Sequence, residues 1–246
     1  MSSSKHISFI LFSFTSAFLL QTCLGAYAPL LHLCSNSQNF TPSSPYEANL
    51  KTLINSLIYK TPSTGFGVGS VGQYQNQKAY GLALCRGDVS ASECKTCVSE
   101  ATKEILTSCP YNKGGIIWYD YCMFKYLDTD FFGNIDNTNN FSMLNVQNVS
   151  DPLMFNYMTK ELLSLLAHKA SVSTKMYSTG DLKVGGESQK IYGLTQCTRD
   201  LSSGDCKKCL EDAINELPSC CDGKQGGRVV GGSCNVRYEI YPFVKE

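Results

Sequence analysis

The chain repeats itself, and the repeat keeps its cysteines in register. Gln77–Cys97 reads QKAYGLALCRGDVSASECKTC and Gln189–Cys209 reads QKIYGLTQCTRDLSSGDCKKC; in both, QKxYGL leads into Cys, eight residues, Cys, two residues, Cys. The offset is 112 residues without a gap, and downstream it sets Cys109 on Cys221, Gly114-Gly115 on Gly226-Gly227 and Cys122 on Cys234. Upstream, Tyr46–Leu57 resembles Phe155–Leu166 at an offset near 109. A fixed internal period means one structural unit built twice, and each copy, at roughly 105–115 residues, has the size of an ordinary domain. The stretch Asp128–Asp151 between them is rich in Asn, Asp, Thr and Ser, as a surface connection is. The expected organisation is a leader at 1–26, a first module at 27–132, a linker at 133–150 and a second module at 151–246.

The leader explains the cysteines. Met1–His6 is short and carries Lys5, Ile7–Leu20 is a 14-residue apolar run, and the small residues Gly25, Ala26 and Ala28 follow. These are the parts of a secretory signal peptide, and the run is short for a bilayer span, which needs about 20 residues. Its removal takes Cys23 with it and leaves 12 of the 13 cysteines, an even number bound for an oxidising compartment. Lys+Arg and Asp+Glu are both 21, so no net field draws the chain to nucleic acid or anionic lipid.

Within each copy the patterns alternate. Pro45–Ile58 places Leu50, Leu53, Ile54 and Leu57 on one helical stripe, and Val89–Leu106 is a second helix with Ser90 and Glu93 arranged as a capping box. Phe66–Tyr74, Ala79–Cys85 and the aromatic run Gly115–Leu127 read as strands. Copy two repeats this with helices at Pro152–Ala170 and Ser202–Leu217. The fold class is therefore α+β: two tandem modules, each with two helices packed on one face of an antiparallel sheet.

The C-x8-C-x2-C spacing at Cys85/Cys94/Cys97 and Cys197/Cys206/Cys209, with the ending RVVGGSCNVRYEIYPF, resembles the plant cysteine-rich repeat secretory proteins, whose module is also called the ginkbilobin-type or stress-antifungal domain. The resemblance spans the mature chain. It implies three disulfides per module: Cys34–Cys109, Cys85–Cys94 and Cys97–Cys122 in the first, Cys197–Cys206 and Cys209–Cys234 in the second. Copy two has no counterpart of Cys34 but gains Cys220 beside Cys221, which reads as a vicinal Cys220–Cys221 bridge. Two other readings of the CxxC pairs are weighed: zinc ligands, disfavoured by the oxidising compartment, and a redox CxxC, disfavoured because no βαβ unit surrounds it.

No nucleophile, metalloprotease or phosphate-loop motif is present, and His32 and His168 adjoin no nucleophile motif, so the chain is read as a non-enzyme with no cofactor and no metal. The family resemblance implies a mannose site made of an Asn after the first cysteine, an Arg six residues before the last and a Glu five residues after it. Copy one has Ser35, Ile116 and Leu127 there; copy two has Arg228 and Glu239, with Asn145 as the nearest Asn. The competing reading of Arg228 and Glu239 is an ordinary cross-strand ion pair. Trp118, Tyr119 and Tyr121 read either as an inter-module interface or as core. Asn39, Asn140 and Asn148 head glycosylation sequons. The expectation is an apoplastic protein of plant stress or defence, lectin-like or directly antifungal. Its partner is a mannose-type glycan or an extracellular or cell-surface protein, with no nucleic acid and no membrane span.

Overall fold

A computed structural model describes residues 28–35, 38–184 and 189–245; the leader at 1–26 lies outside them. The first module orders its elements β1 (Leu31–Cys34), α1 (Pro45–Thr64), β2 (Phe66–Val71), β3 (Ala79–Cys85), α2 (Ala91–Ser108), β4 (Gly115–Trp118) and β5 (Cys122–Leu127). The second repeats it with β6 (Asn140–Leu144), α3 (Pro152–Val172), β7 (Tyr177–Lys183), β8 (Lys190–Cys197), α4 (Ser203–Cys221), β9 (Gly226–Gly231) and β10 (Cys234–Glu239). The sheets run β1-β4-β5-β3-β2 and β6-β9-β10-β8-β7, the same topology, with antiparallel pairing throughout.

Local chemistry starts and stops the helices. Ser44, Ser90, Asp151 and Ser202 each accept a hydrogen bond from a backbone N–H three residues on, and at Ser90 the Glu93 carboxylate returns the favour to complete a capping box. Such a cap stabilises a helix by about 1 kcal/mol. Gly65, at φ 78°, closes α1 in the left-handed conformation that glycine adopts without cost. The sequence pattern ends this helix at Ile58; it runs on through Pro62 to Thr64. Pro62 sits near the end, where only the Ile58 carbonyl loses its donor, and Thr61 extends the buried face.

The helices of each module cover one face of its sheet. Leu50, Leu53 and Leu57 of α1 and Val98, Ala101 and Ile105 of α2 pack on Ile117, Phe124 and Tyr126. Leu163 and Leu166 of α3 and Leu210 and Ile214 of α4 pack on Val229, Val236 and Tyr238. The stretch 133–150, read from composition as linker, contains β6, which pairs with β9 from Asn140↔Gly231 to Leu144↔Gly227. The second sheet therefore begins inside that stretch: pairing, which composition does not report, orders an Asn-rich segment.

Six disulfides join Cys34 to Cys109, Cys85 to Cys94, Cys97 to Cys122, Cys197 to Cys206, Cys209 to Cys234 and Cys220 to Cys221. Every sulfur of the two CxxC pairs is committed to a bridge, which rules out the zinc reading. Cys34–Cys109 spans 75 residues and ties β1 to the end of α2, whereas Cys220–Cys221 spans 1 and ties nothing distant.

The modules dock through the sheet faces opposite the helices. Leu82, Leu84, Ile116, Trp118 and Met123 of the first module form one apolar cluster with Val230 of the second, and Phe131 and Phe141 pack against it. Trp118 meets Phe141 edge-on at 5.2 Å, and its Nε1 donates to the Gly231 carbonyl at 3.0 Å. Gln196 Nε2 donates to the Cys85 carbonyl at 2.9 Å. Of the three aromatics singled out in the sequence, Trp118 belongs to the interface. Tyr119 is in its own module's core, and Tyr121 lies beneath the Lys245 ammonium, 4.6 Å from the ring centre. In the connection, Asp136 accepts from Lys125 Nζ at 2.6 Å, with both side chains buried. Burial alone would raise the Asp136 carboxyl, but the hydrogen bonds from Lys125 and Asn139 prevail and hold it near 2.

Two outcomes follow from this architecture. Replacing Cys34 and Cys109 together by Ala should lower unfolding stability by roughly 4 kcal/mol, the chain-entropy value for a long loop, whereas the Cys220/Cys221 double variant should cost far less because no loop is opened; denaturant titration reads the difference. Asp136→Asn should cost roughly 3–5 kcal/mol by leaving Lys125 buried and unpaired. Because Asp136 is depressed in the folded chain, its contribution is complete above about pH 4 and is lost as pH falls toward 2. The variant should therefore show a flatter acid-unfolding profile than the parent.

Candidate functional site

Alternation along β9 and β10 sends Val229, Val236 and Tyr238 toward the helices and Arg228, Asn235, Arg237 and Glu239 to the opposite face. In register, Arg228 lies between Met143 of β6 and Arg237 of β10, and Glu239 pairs with Gly226. A β-carbon at Gly226 would displace the Glu239 carboxylate from its present position. Asn145 follows directly on β6, held by its N–H to the Gly226 carbonyl at 2.9 Å, while its Oδ1 accepts from Gln147 N at 3.0 Å.

Asn145, Arg228 and Glu239 line one cavity of about 200 Å³, together with Met143, Leu144, Gly227, Arg237 and Tyr241. The ion-pair alternative takes a different form. Arg228 does not pair with Glu239; Arg237 does, with Nε and Nη2 both 3.1 Å from Oε1. Arg228 instead donates from Nη2 to Asp120 Oδ1 of the first module at 2.9 Å, and Arg237 Nη1 reaches the same oxygen at 3.1 Å. Arg86 Nη1 takes Asp120 Oδ2 at 3.0 Å and turns its other nitrogens to Asp88. Like charges directly opposite on neighbouring strands repel, and Asp120 is what makes the Arg228–Arg237 pair tolerable.

The electrostatics follow. Burial by itself would raise the Asp120 carboxyl, but Arg228, Arg237 and Arg86 outweigh it and hold Asp120 below the ordinary carboxylate range. Arg228, 7% exposed, is lowered first by burial and then by Arg237. Two polar atoms of the site are buried without a partner, Arg228 Nε and Glu239 Oε2. Each such orphan costs about 1–3 kcal/mol, a cost that functional sites tolerate more often than structural ones. The C-terminal segment closes one side. Phe243 lies over the Arg237 guanidinium at 4.2 Å and its carbonyl accepts from Arg86 Nη2 at 3.3 Å, while Lys245 donates to Asp88 and pairs with Glu93.

The first-module counterparts do not form such a site: Ile116 is buried in the inter-module cluster and Leu127 packs at Gly114. Asp120, Arg237 and Tyr241 are the residues at this candidate site that sequence reasoning missed. The available signal was charge spacing, because two arginines facing each other across a hairpin call for an acid that the hairpin itself does not supply. Among the described residues, no group of three or more His, Cys, Asp or Glu is placed to hold a metal ion, and no helix is long and apolar enough to cross a membrane.

Comparison with known proteins places the fold. Residues 33–129 and 142–241 each match the salt stress response/antifungal family. The chain is 57% identical over 244 residues to the antimicrobial ginkbilobin-2-like protein of Castanea crenata, covering 99% of both chains. It is 55% identical over 219 residues to cysteine-rich repeat secretory protein 38 of Arabidopsis thaliana, covering 88% of this chain and 86% of that one. Its fold matches the crystal structure of the tandem DUF26 ectodomain of the Arabidopsis thaliana cysteine-rich receptor-like protein PDLP5, with a TM-score of 0.71, 29% identity, and coverage of 87% of this chain and 99% of that one. The duplicated topology, the cysteine spacing and these matches agree: the chain belongs to the secreted, cysteine-rich salt stress response/antifungal (DUF26) family, of which it carries two tandem domains.

Proposed function

We propose that the chain is a non-enzymatic binding protein of the plant apoplast, active in stress or defence, whose second module recognises a mannose-type glycan through Asn145, Arg228 and Glu239. The observation that carries this reading is the shared cavity of about 200 Å³ that these three residues line, with Glu239 Oε2 and Arg228 Nε lacking partners inside the protein. An amide, a guanidinium and a carboxylate offer fixed donors and acceptors to neutral hydroxyls, which act as both. The reading belongs to the second module alone. A second reading, direct antimicrobial action, is favoured by the name of the relative at 57% identity.

A glycan array separates the two. The parent should retain mannose-terminated glycans; Arg228→Ala should weaken retention about tenfold or more, the equivalent of one charge-assisted hydrogen bond, and Asn145→Ala about threefold to tenfold, that of a neutral one. Asn145 is the safer probe because it does not hold the modules together. Retention that is absent in the parent, or unchanged in both variants, removes the sugar reading. Fungal growth inhibition that persists in the same variants makes the toxicity independent of this cavity.

We also propose that Asn39, Asn140 and Asn148, all exposed, carry N-glycans. Asn140 and Asn148 bracket β6, the outermost strand of its sheet, and glycans there shield an edge that would otherwise template pairing. Enzymatic deglycosylation of the plant-expressed protein should lower its mass, and Asn140→Gln with Asn148→Gln should increase self-association in light scattering. An unchanged mass overturns the assignment.

A further inference from the structure

A second and larger cavity lies on the helix side of the second sheet, away from the Asn145–Arg228–Glu239 pocket. It sits between the first half of α3 and the last turns of α4, and its volume is about 290 Å³. Thr159 and Lys160 line it from α3, Ile214, Leu217 and Pro218 from α4, and Tyr238 from β10.

The duplication supplies an internal control. At the offsets of 109 and 112, Thr159 corresponds to Leu50 and Pro218 to Leu106. In the first module, Leu50 is 1% exposed in the core and Leu106 packs against the same core. The second module has thus replaced two space-filling leucines by smaller residues at the wall of an opening, and both replacements add polarity. Thr159 is 5% exposed, and its Oγ1 is buried with no hydrogen-bond partner. Pro218 lies inside α4 and has no amide hydrogen, so the Ile214 carbonyl in the same wall lacks its helical donor. Core packing alone favours neither change, because leucine fills space without a polar atom to satisfy.

The rest of the lining sets apolar surface, Leu217, the Ile214 side chain and the Tyr238 ring, beside the polar Asn156, Asn215 and Asp222. An apolar cavity of about 150 Å³ takes up benzene, so this one, at about 290 Å³, has room for a ring and a substituent. At the rim, Lys160 makes no ion pair among the described residues, while the nearby anion Asp222 is already engaged by Asn156 Nδ2 at 2.6 Å. Small-molecule sites have this make-up, an apolar concavity with a few placed polar groups.

We propose that this cavity binds a single-ring phenolic acid. The ring packs on Leu217 and Tyr238, the phenol hydroxyl exchanges hydrogen bonds with Thr159 Oγ1, and the carboxylate meets Lys160. No sugar and no residue of the first module takes part, so the proposal stands or falls apart from the glycan reading.

The test is calorimetric titration of the full disulfide-bonded chain with 4-hydroxybenzoate, p-cresol and phenol. Saturable 4-hydroxybenzoate binding tighter than about 1 mM is expected, with p-cresol and phenol weaker. Thr159→Leu, which restores the residue of the first module and so fills the wall with a side chain the fold already accepts, should weaken all three about tenfold or more. Lys160→Gln, at an exposed position, should weaken 4-hydroxybenzoate and leave p-cresol unchanged. Glycan-array behaviour should be the same in parent and variants. The assignment is overturned if the parent binds none of the three compounds tighter than about 1 mM, or if Thr159→Leu binds them as the parent does.

Discussion

One carboxylate joins the two halves of the molecule. Asp120, in the turn between β4 and β5 of the first module, accepts hydrogen bonds from Arg86 of its own module and from Arg228 and Arg237 of the other. Without it, two guanidiniums would face each other across a hairpin with nothing to offset their repulsion. With it, their directions are fixed: Arg237 turns its remaining nitrogens to Glu239, and Arg228 points Nη2 at Asp120 and leaves its buried Nε without a partner. The geometry of the candidate glycan site in the second module is therefore set by a residue of the first. The apolar cluster around Trp118 provides the burial, and the charge network provides the alignment.

Docking also accounts for the divergence of the two copies. Each sheet has one face covered by its own helices, and the other face is exposed until the modules meet. The first module gave that face to the interface, with Ile116 in the apolar cluster where the second has Arg228, while Leu127, where the second has Glu239, packs at Gly114. The second module kept charged residues over part of the same face, and there a cavity remains. The bridges diverged in parallel. Cys34–Cys109 anchors the first module's N-terminal strand covalently, whereas β6 in the second is held by its pairing with β9, and Cys221 is bonded to its neighbour. The second module is thus the one with the less constrained edge and with cavities on both faces of its sheet.

Strand alternation explains how those two cavities stay separate. Tyr238 and Glu239 are adjacent in sequence, yet one contributes to the pocket under the helices and the other to the pocket on the opposite face. A single strand can in this way serve two unrelated ligands, provided that the hydrogen-bonded ladder between them stays rigid.

The sequence by itself determined the duplication, the α+β class and the Ser90 capping box, because each rests on local chemistry: periodicity, cysteine spacing and cap residues. Arg228 and Glu239 were legible as counterparts of a family pattern, and Trp118 as one side of an open choice. What the sequence left undecided were the relations between distant residues. Which carboxylate would face Arg228, whether Asn145 would come within reach of Glu239, and whether β6 would be linker or strand all depend on contacts between segments far apart in the chain. Only the tertiary structure decided them, since hydrogen bonding and desolvation act through space, and the register of β6 on β9 and the docking of Asp120 against both arginines exist only once the two modules have met.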